Sequence, residues 1–254
     1  MKVVLLAGGF GTRLSEYTET IPKPMLKVGS IPILCHLMQI FAHYDHTDFV
    51  VPLGYKAEFV KQFFLNYSIL NSDFTVNLKS GAIKSNESLL NDWNVSLIDT
   101  GLNTMTGGRL LRVKDHVKSE TFFLTYGDGL ANIDLNELLR FHRRHGKLVT
   151  VTGVRPAARF GELTLDQDQV INFAEKPRVE NGWVNGGFFV MEPGFLDYIV
   201  GDTTVLEKDP LEKAAQHGEL MAYRHDDFWQ CVDTKRDLDF LNELWDSGRA
   251  PWHY

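Results

Sequence analysis

Val3-Val4-Leu5-Leu6-Ala7-Gly8-Gly9-Phe10-Gly11-Thr12-Arg13 opens the chain and decides how the rest of it is read. Val3 to Ala7 is a continuous apolar run, the pattern of a strand covered on both faces. The glycines that follow directly can take φ > 0 and let the backbone approach a ligand closely. Successive exposed N–H groups in such a turn form an anion-binding concavity, and Arg13 places a guanidinium at its edge for a bidentate contact to phosphate. Three glycines alone are equally compatible with a simple tight turn. Two familiar phosphate loops fit badly. A Walker A loop ends in Gly-Lys-Ser/Thr, whereas this one ends in Gly11-Thr12-Arg13. A dinucleotide fingerprint wants an acid at the end of the second strand, where this chain has Pro52-Leu53-Gly54-Tyr55.

Next along the chain stands Ile21-Pro22-Lys23-Pro24-Met25. Prolines on both sides restrict the backbone and limit where the ammonium can point. A lysine held this way after a glycine loop suits phosphate neutralisation; by itself it reads rather as a rigid surface turn with a solvated lysine, and Arg13 beside it tips the reading to phosphate.

Beyond these motifs, helical spacing over Ile31 to Tyr44 and Lys56 to Tyr67 alternates with strands at Asp48 to Leu53 and Phe74 to Leu78. This β-α-β-α-β alternation predicts a mostly parallel sheet with right-handed crossovers. Ser80 to Trp93 is polar and aperiodic and reads as a loop or hairpin insertion. Asn94 to Asp99 and Thr121 to Thr125 are further strands, then a helix over Ile133 to Gly146 and a strand over Leu148 to Val154. Gly161 to Leu165, Val170 to Ala174 and Asn185 to Met191 are short strands without long helices between them, as for antiparallel additions forming a wall of a substrate site. A helix over Leu206 to His217, a strand at Leu220 to Arg224 and a helix over Lys235 to Trp245 close the chain. The fold expected is α/β, a Rossmann-like, mostly parallel central sheet flanked by helices with an antiparallel extension. Residues 1–254 are expected to form one domain, with 1–155 mainly the part around the glycine loop and its anionic ligand and 156–254 mainly a second substrate-binding part with the C-terminal helices.

A chain of 254 residues can close a full core. Its net charge of −7 argues against a nucleic-acid partner, which would meet a basic surface, while leaving room for a local basic pocket. No apolar run approaches the ~20 residues that span a bilayer, and Lys2 to Ala7 is too short for a signal-peptide core. No membrane partner and a cytoplasmic location are therefore expected. Cys35 and Cys231 lie far apart and read as two reduced, buried side chains.

Leu6 to Leu14 followed by Pro22-Lys23-Pro24-Met25 resembles the signature of bacterial sugar-1-phosphate nucleotidyltransferases. The resemblance continues through Tyr126-Gly127-Asp128, Glu175-Lys176-Pro177, Asn185-Gly186-Gly187 and Trp229 to Asp233, covering nearly the whole chain. Asp99-Thr100-Gly101 with Met105-Thr106-Gly107-Gly108-Arg109, and Phe228-Trp229-Gln230, resemble the branch that uses CTP. The resemblance implies transfer of a cytidylyl group from CTP to α-D-glucose 1-phosphate, giving CDP-glucose and pyrophosphate, with Mg²⁺ as cofactor. It implies that Arg13, Lys23 and Asp128 carry the catalysis and that Asp128 and Asp233 hold the metal. The nucleotide would meet Leu6, Ala7, Gly8, Gly9, Gly11, Thr12, Arg13, Lys23, Gly54, Tyr55, Thr104, Gly107, Gly108 and Asp128. Tyr126, Gly127, Glu175, Lys176, Asn185 and Gly187 would take the sugar phosphate. Gly29-Ser30-Ile31-Pro32-Ile33 and Cys231-Val232 depart from the usual pattern without removing a catalytic group. They leave sugar choice and subunit contacts open.

The implied chemistry agrees with what the residues offer. A sugar 1-phosphate oxygen is already anionic near neutral pH, so no general base is needed, and no convincing His–carboxylate or nucleophile motif is present. His36, His43, His116, His142, His145 and His217 sit in helix-like segments at no metal-ligand spacing and read as surface or satisfied residues. The obstacle is bringing two anions together, which cations and a metal would meet. Asp128 follows a buried strand, where open α/β sheets place ligands, although it also reads as a turn or capping residue. Asp233 reads alternatively as an N-cap of the last helix. Other bases or acceptors, a non-catalytic nucleotide-sugar binder and a glycosyltransferase with a related sheet remain alternatives. A homo-oligomer, commonly a hexamer, is implied by the resemblance. Trp252 and Tyr254, beyond Gly248 and Pro251, and the Ser80 to Trp93 insertion add candidate interface surfaces.

Overall fold

Val3, Leu5 and Ala7 enter one apolar cluster and Val4 and Leu6 enter another, so the first strand is packed on both faces, as its unbroken apolar run requires. The computed structural model describes residues 1–85, 91–156, 162–167, 169–174 and 182–254. Seven strands share one sheet: β1 (Lys2–Leu6), β2 (Asp48–Leu53), β3 (Asn94–Asp99), β4 (Phe122–Tyr126), β5 (Val149–Val154), β6 (Val184–Met191) and β7 (Leu220–His225). Their spatial order is β7-β5-β6-β4-β1-β2-β3. β1 to β4 run parallel, β5 runs parallel to β7, and β6 lies antiparallel between β4 and β5.

From β1 the chain moves outward through β2 and β3, then returns to place β4 on the other side of β1. The loops at the carboxyl ends of β1 and β4 therefore part company, leaving the crevice where open α/β sheets bind ligands. Among the described residues six longer helices flank the sheet: α1 (Ile33–His43), α2 (Ala57–Leu65), α3 (Thr106–Arg112), α4 (Leu135–His145), α5 (Asp209–Gln216) and α6 (Lys235–Asp246). α1 buries Ile33, Leu34, Leu37, Met38, Ile40 and Phe41 in the cluster beneath Val3 and Leu5. That stripe at helical spacing is what packs it on the sheet. Among the described residues no helix is long and apolar enough to cross a membrane.

Several expectations change. Phe74 to Leu78 is not the third strand of the parallel sheet: Phe74–Val76 pairs antiparallel with Ile83–Ser85 as a separate hairpin, and Asn94–Asp99 takes the place beside β2. Local propensity marks a strand but not its partner. Glu162–Asp166 and Gln169–Ala174 likewise form their own two-stranded sheet, and of the three short strands only β6 joins the main one. The helix expected from Leu206 begins at Asp209, with Pro210 in its first turn, where a missing N–H costs nothing. Cys35 is buried but Cys231 is only half-buried, beside Asp233, and both are free thiols. His36 and His142 are satisfied inside the chain, His36 by Val28 O at 3.0 Å and His142 by the Thr150 hydroxyl at 2.8 Å.

Trp252 does not present an outward face. It is 1% exposed, packs on Phe228 and donates to His36 Nδ1 at 3.3 Å. Trp93 also turns inward, edge-on to Phe49. Tyr254 stacks on His43 while remaining half exposed.

Candidate active site

Four charged side chains meet where β1 and β4 diverge. Lys23 Nζ lies 2.6 Å from Asp128 Oδ2 and 3.0 Å from Asp233 Oδ1, and Arg13 Nη1 lies 2.7 Å from Asp233 Oδ2. The two cations differ in setting: the Arg13 side chain is 75% exposed and Lys23 only 12%. Arg13 thus meets an incoming anion from the solvent side by leaving Asp233, whereas Lys23 is held inside the cluster.

Local structure explains the convergence of residues so distant in sequence. Pro22 is extended and Lys23–Met25 forms a single 3₁₀ turn, so the flanking prolines do set the direction of the lysine. Gly127 N donates to Leu6 O at 3.0 Å, and a Cβ at Gly127 would lie 2.9 Å from that oxygen and 3.0 Å from Pro24 Cγ. The absent side chain is what lets the proline turn seat against the Tyr126-Gly127-Asp128 loop, and Pro24 fills that space. Beyond Asp128, Gly129–Ala131 pairs antiparallel with Trp229–Cys231, and Val232 N donates to Asp128 O at 2.8 Å. This ribbon carries Asp233 back beside Asp128. The N-cap of α6 is Thr234, in a capping box with Asp237, whose carboxylate also accepts from Asp233 N. Asp233 is therefore excused from capping, and its side chain faces the cations.

Charge placement follows. Burial alone would lower the Lys23 pKa, but Asp128 and then Asp233 outweigh it and hold the ammonium above its ordinary value. Burial works to raise Asp233, yet Lys23 and Arg13 prevail and keep its carboxyl below the usual range. Both groups stay charged through the neutral range. Burial pushes the Cys231 thiol up to about 12, so it carries no thiolate beside this cluster.

The cluster borders a cavity of about 700 Å³. Of the residues singled out in the sequence, Leu6, Ala7, Gly8, Gly9, Gly11, Thr12, Arg13, Lys23, Thr104, Tyr126, Gly127, Asp128, Asn185 and Asp233 line it. A second cavity of about 290 Å³ adjoins, bounded by Gly187 and Trp229 and sharing Tyr126, Asn185, Asp128 and Asp233. Asn185 donates to Tyr126 OH at 3.2 Å and accepts from Gly187 N at 2.8 Å. Gly54, Tyr55, Gly107 and Gly108 line neither cavity. Tyr55 donates to Thr18 O at 3.0 Å, and the Gly107 and Gly108 amides donate to Thr204 O. Glu175 and Lys176 lie outside the described residues.

Arg109 and Glu207 line the cavity without a role assigned from the sequence. Arg109 was one residue of a family-like motif there, with no role. In the structure it is 4% exposed and donates to Gly8 O (2.9 Å), Leu53 O (2.9 Å), Thr100 Oγ1 (2.8 Å), Gly101 O (2.8 Å) and Leu102 O (3.2 Å). It ties the glycine loop to the ends of β2 and β3. Its partners are four backbone oxygens and one threonine hydroxyl, which no residue type announces. Glu207, ahead of α5, also lines the cavity, and Pro210 was the overlooked signal that it precedes the helix.

The Arg109 guanidinium lies where a Gly8 Cβ would stand, 2.3 Å from Cζ. Gly8→Ala is therefore expected to destabilise the chain by about 1–3 kcal/mol through overpacking, read as a lowered urea midpoint. An unchanged midpoint would contradict the packing described.

A nucleotidyl transferase family pattern matches residues 2–244. The chain belongs to the nucleotidyl transferase family. As a nucleotidyltransferase it is an enzyme, and its relatives agree along the whole length. It is similar to the glucose-1-phosphate cytidylyltransferase of Salmonella typhi, 46% identical over 253 residues, 99% of this chain and 98% of that one. The glucose-1-phosphate cytidylyltransferase of Salmonella typhimurium is likewise 46% identical over 253 residues, with the same shares of 99% and 98%. In fold the nucleotidyltransferase resembles HddC from Yersinia pseudotuberculosis, with a TM-score of 0.70, 22% identity and coverage of 96% of this chain and 99% of that one.

Proposed function

We propose that this nucleotidyltransferase transfers the cytidylyl group of CTP to α-D-glucose 1-phosphate, releasing pyrophosphate. The observation that carries this reading is the meeting of Lys23, Arg13, Asp128 and Asp233 beside a glycine loop, in a chain 46% identical to a glucose-1-phosphate cytidylyltransferase. A phosphate oxygen of the acceptor attacks the α-phosphorus, the bond to the pyrophosphate oxygen breaks, and pyrophosphate departs with the electron pair. No proton changes hands. What the reaction needs is positive charge where anions crowd, and Lys23, held protonated and oriented, supplies it. Arg13 turns from Asp233 to the triphosphate, and the glycine-loop amides line its path. Tyr126 and Asn185, shared by the two cavities, border the acceptor, and Lys176, outside the described residues, is the cation the resemblance implies for its phosphate.

A divalent cation fits the donor set. Two carboxylates converge within 3.0 Å of the Lys23 ammonium, so this point is already built around a positive charge. Among the described residues no group of three or more acids, histidines or cysteines could hold a metal, so phosphate oxygens and water would complete the shell, as Mg²⁺ prefers. Asp128 and Asp233 would hold it, and when bound it neutralises phosphate charge.

The substrates are tested by a pyrophosphate-release screen of the four common nucleoside triphosphates against hexose 1-phosphates. CTP with glucose 1-phosphate should give the highest kcat/KM, and a clear preference for another pair would overturn the assignment. We also read the chain as a homo-oligomer. The reading is supported by apolar side chains on the outlying hairpin, Phe74, Val76, Leu78 and Ile83, all exposed. Light scattering at micromolar protein should give a multiple of the chain mass; a monomer's mass would refute it.

A further inference from the structure

Glu207 is an oddity in a cavity built for phosphates. It lines the larger cavity, yet among the described residues it forms no ion pair, and its partners are hydroxyl groups. Thr106 Oγ1 donates to Glu207 Oε2 at 2.7 Å and accepts from Leu206 N at 2.9 Å, so one threonine fixes both the loop and the carboxylate. The loop itself is laid on the start of α3: Met105 N donates to Asp202 O, and the Gly107 and Gly108 amides donate to Thr204 O. Leu206 is fully buried and anchors the stretch. The Tyr126 hydroxyl also donates to the Glu207 carboxylate. Asn185 donates to the same phenol oxygen.

Thr106, Glu207, Tyr126 and Asn185 thus form a run of polar groups along the cavity. A carboxylate has about four lone-pair sites, and Thr106 and Tyr126 do not exhaust them. It repels phosphate oxygens and other carboxylates, so the part of a substrate it faces must be neutral and rich in donors. Sugar hydroxyls answer that description. Arg109, whose terminal N–H groups are spent on the acceptors named above, does not compete for them.

We propose that Glu207 is a specificity residue that accepts hydrogen bonds from sugar hydroxyls in the substrate complex. The inference deepens the nucleotidyltransfer reading and rests on it. Two sources share this chemistry, the ribose of the nucleotide and the hexose of the acceptor. Glu207 is exposed before substrate arrives, so a bound sugar displaces its water, and an analogue lacking the hydroxyl leaves the charge desolvated without a replacement donor.

The test compares wild type with Glu207→Gln, which keeps an acceptor for Thr106, and Glu207→Ala. KM and kcat are measured with CTP, its 2′-deoxy and 3′-deoxy analogues, glucose 1-phosphate and its singly deoxygenated analogues. For wild type, one deoxy analogue should show a KM about ten- to hundredfold above its parent. Glu207→Ala should raise the parent's KM by the same factor and lose the discrimination, with Glu207→Gln between the two. A ribose analogue behaving this way assigns the hydroxyl to the nucleotide, and a hexose analogue assigns it to the acceptor. Unchanged KM values in both variants, or a rise shared equally by parents and all analogues, would overturn the inference. A wild-type protein inactive on CTP and glucose 1-phosphate would instead overturn the reading beneath it, and the inference with it.

Discussion

Lys23→Ala is expected to lower turnover several hundredfold or more, the ~10²–10³ scale of losing one preorganised donor to a transition state. The ammonium is 12% exposed and held by two carboxylates, so its position costs no reorganisation when charge builds on the transferring phosphate. Its raised pKa keeps it charged, so between about pH 6 and 9 the wild-type rate should show no ionisation belonging to this group. Folding should survive, since Pro22 and Pro24 set the turn without it. The variant leaves Asp128 and Asp233 facing one another without their cation. Magnesium should therefore raise its melting temperature more than it raises that of wild type. Near-normal turnover in Lys23→Ala would remove the residue from the mechanism.

Asp128→Ala and Asp233→Ala are expected to raise the magnesium needed for half-maximal rate by about tenfold or more, the scale set by losing support at a metal site. The two should differ in one respect. Asp233 also anchors Arg13, at 2.7 Å, whereas Asp128 contacts only Lys23 among the charged groups described. Its removal frees Arg13, so metal-free nucleotide binding, read by calorimetry, should change in Asp233→Ala more than in Asp128→Ala. Unchanged magnesium dependence in both variants would reject the shared metal site.

How far the sequence carries this site depends on what kind of contact builds each part. The first strand and the glycine loop are legible because apolar continuity and turn chemistry are local. Lys23 between its prolines is legible for the same reason. The meeting of Asp128 with Asp233 is not local: it depends on a two-stranded ribbon pairing Gly129 with Cys231, and only resemblance pointed to it. Phe74 to Leu78 shows the converse, a correct strand given the wrong neighbours, because alternation says nothing of pairing. Trp252 looked like an interface residue past a helix end, yet its ring fills the chain's own core beside Phe228 and His36. Arg109 and Glu207 stayed hidden because their partners are carbonyls and hydroxyls, supplied by segments far along the chain.

At the centre of this account is direct transfer, with Lys23 acting as a fixed charge and never as a nucleophile. A neutral lysine could in principle take the nucleotidyl group itself, but one held protonated by two carboxylates has no lone pair to offer. Exchange of labelled pyrophosphate into CTP separates the two routes. With magnesium and no sugar phosphate the account predicts no exchange, and exchange at a rate comparable to turnover only once glucose 1-phosphate is added. Exchange without any acceptor would reveal a nucleotidyl-enzyme and contradict it.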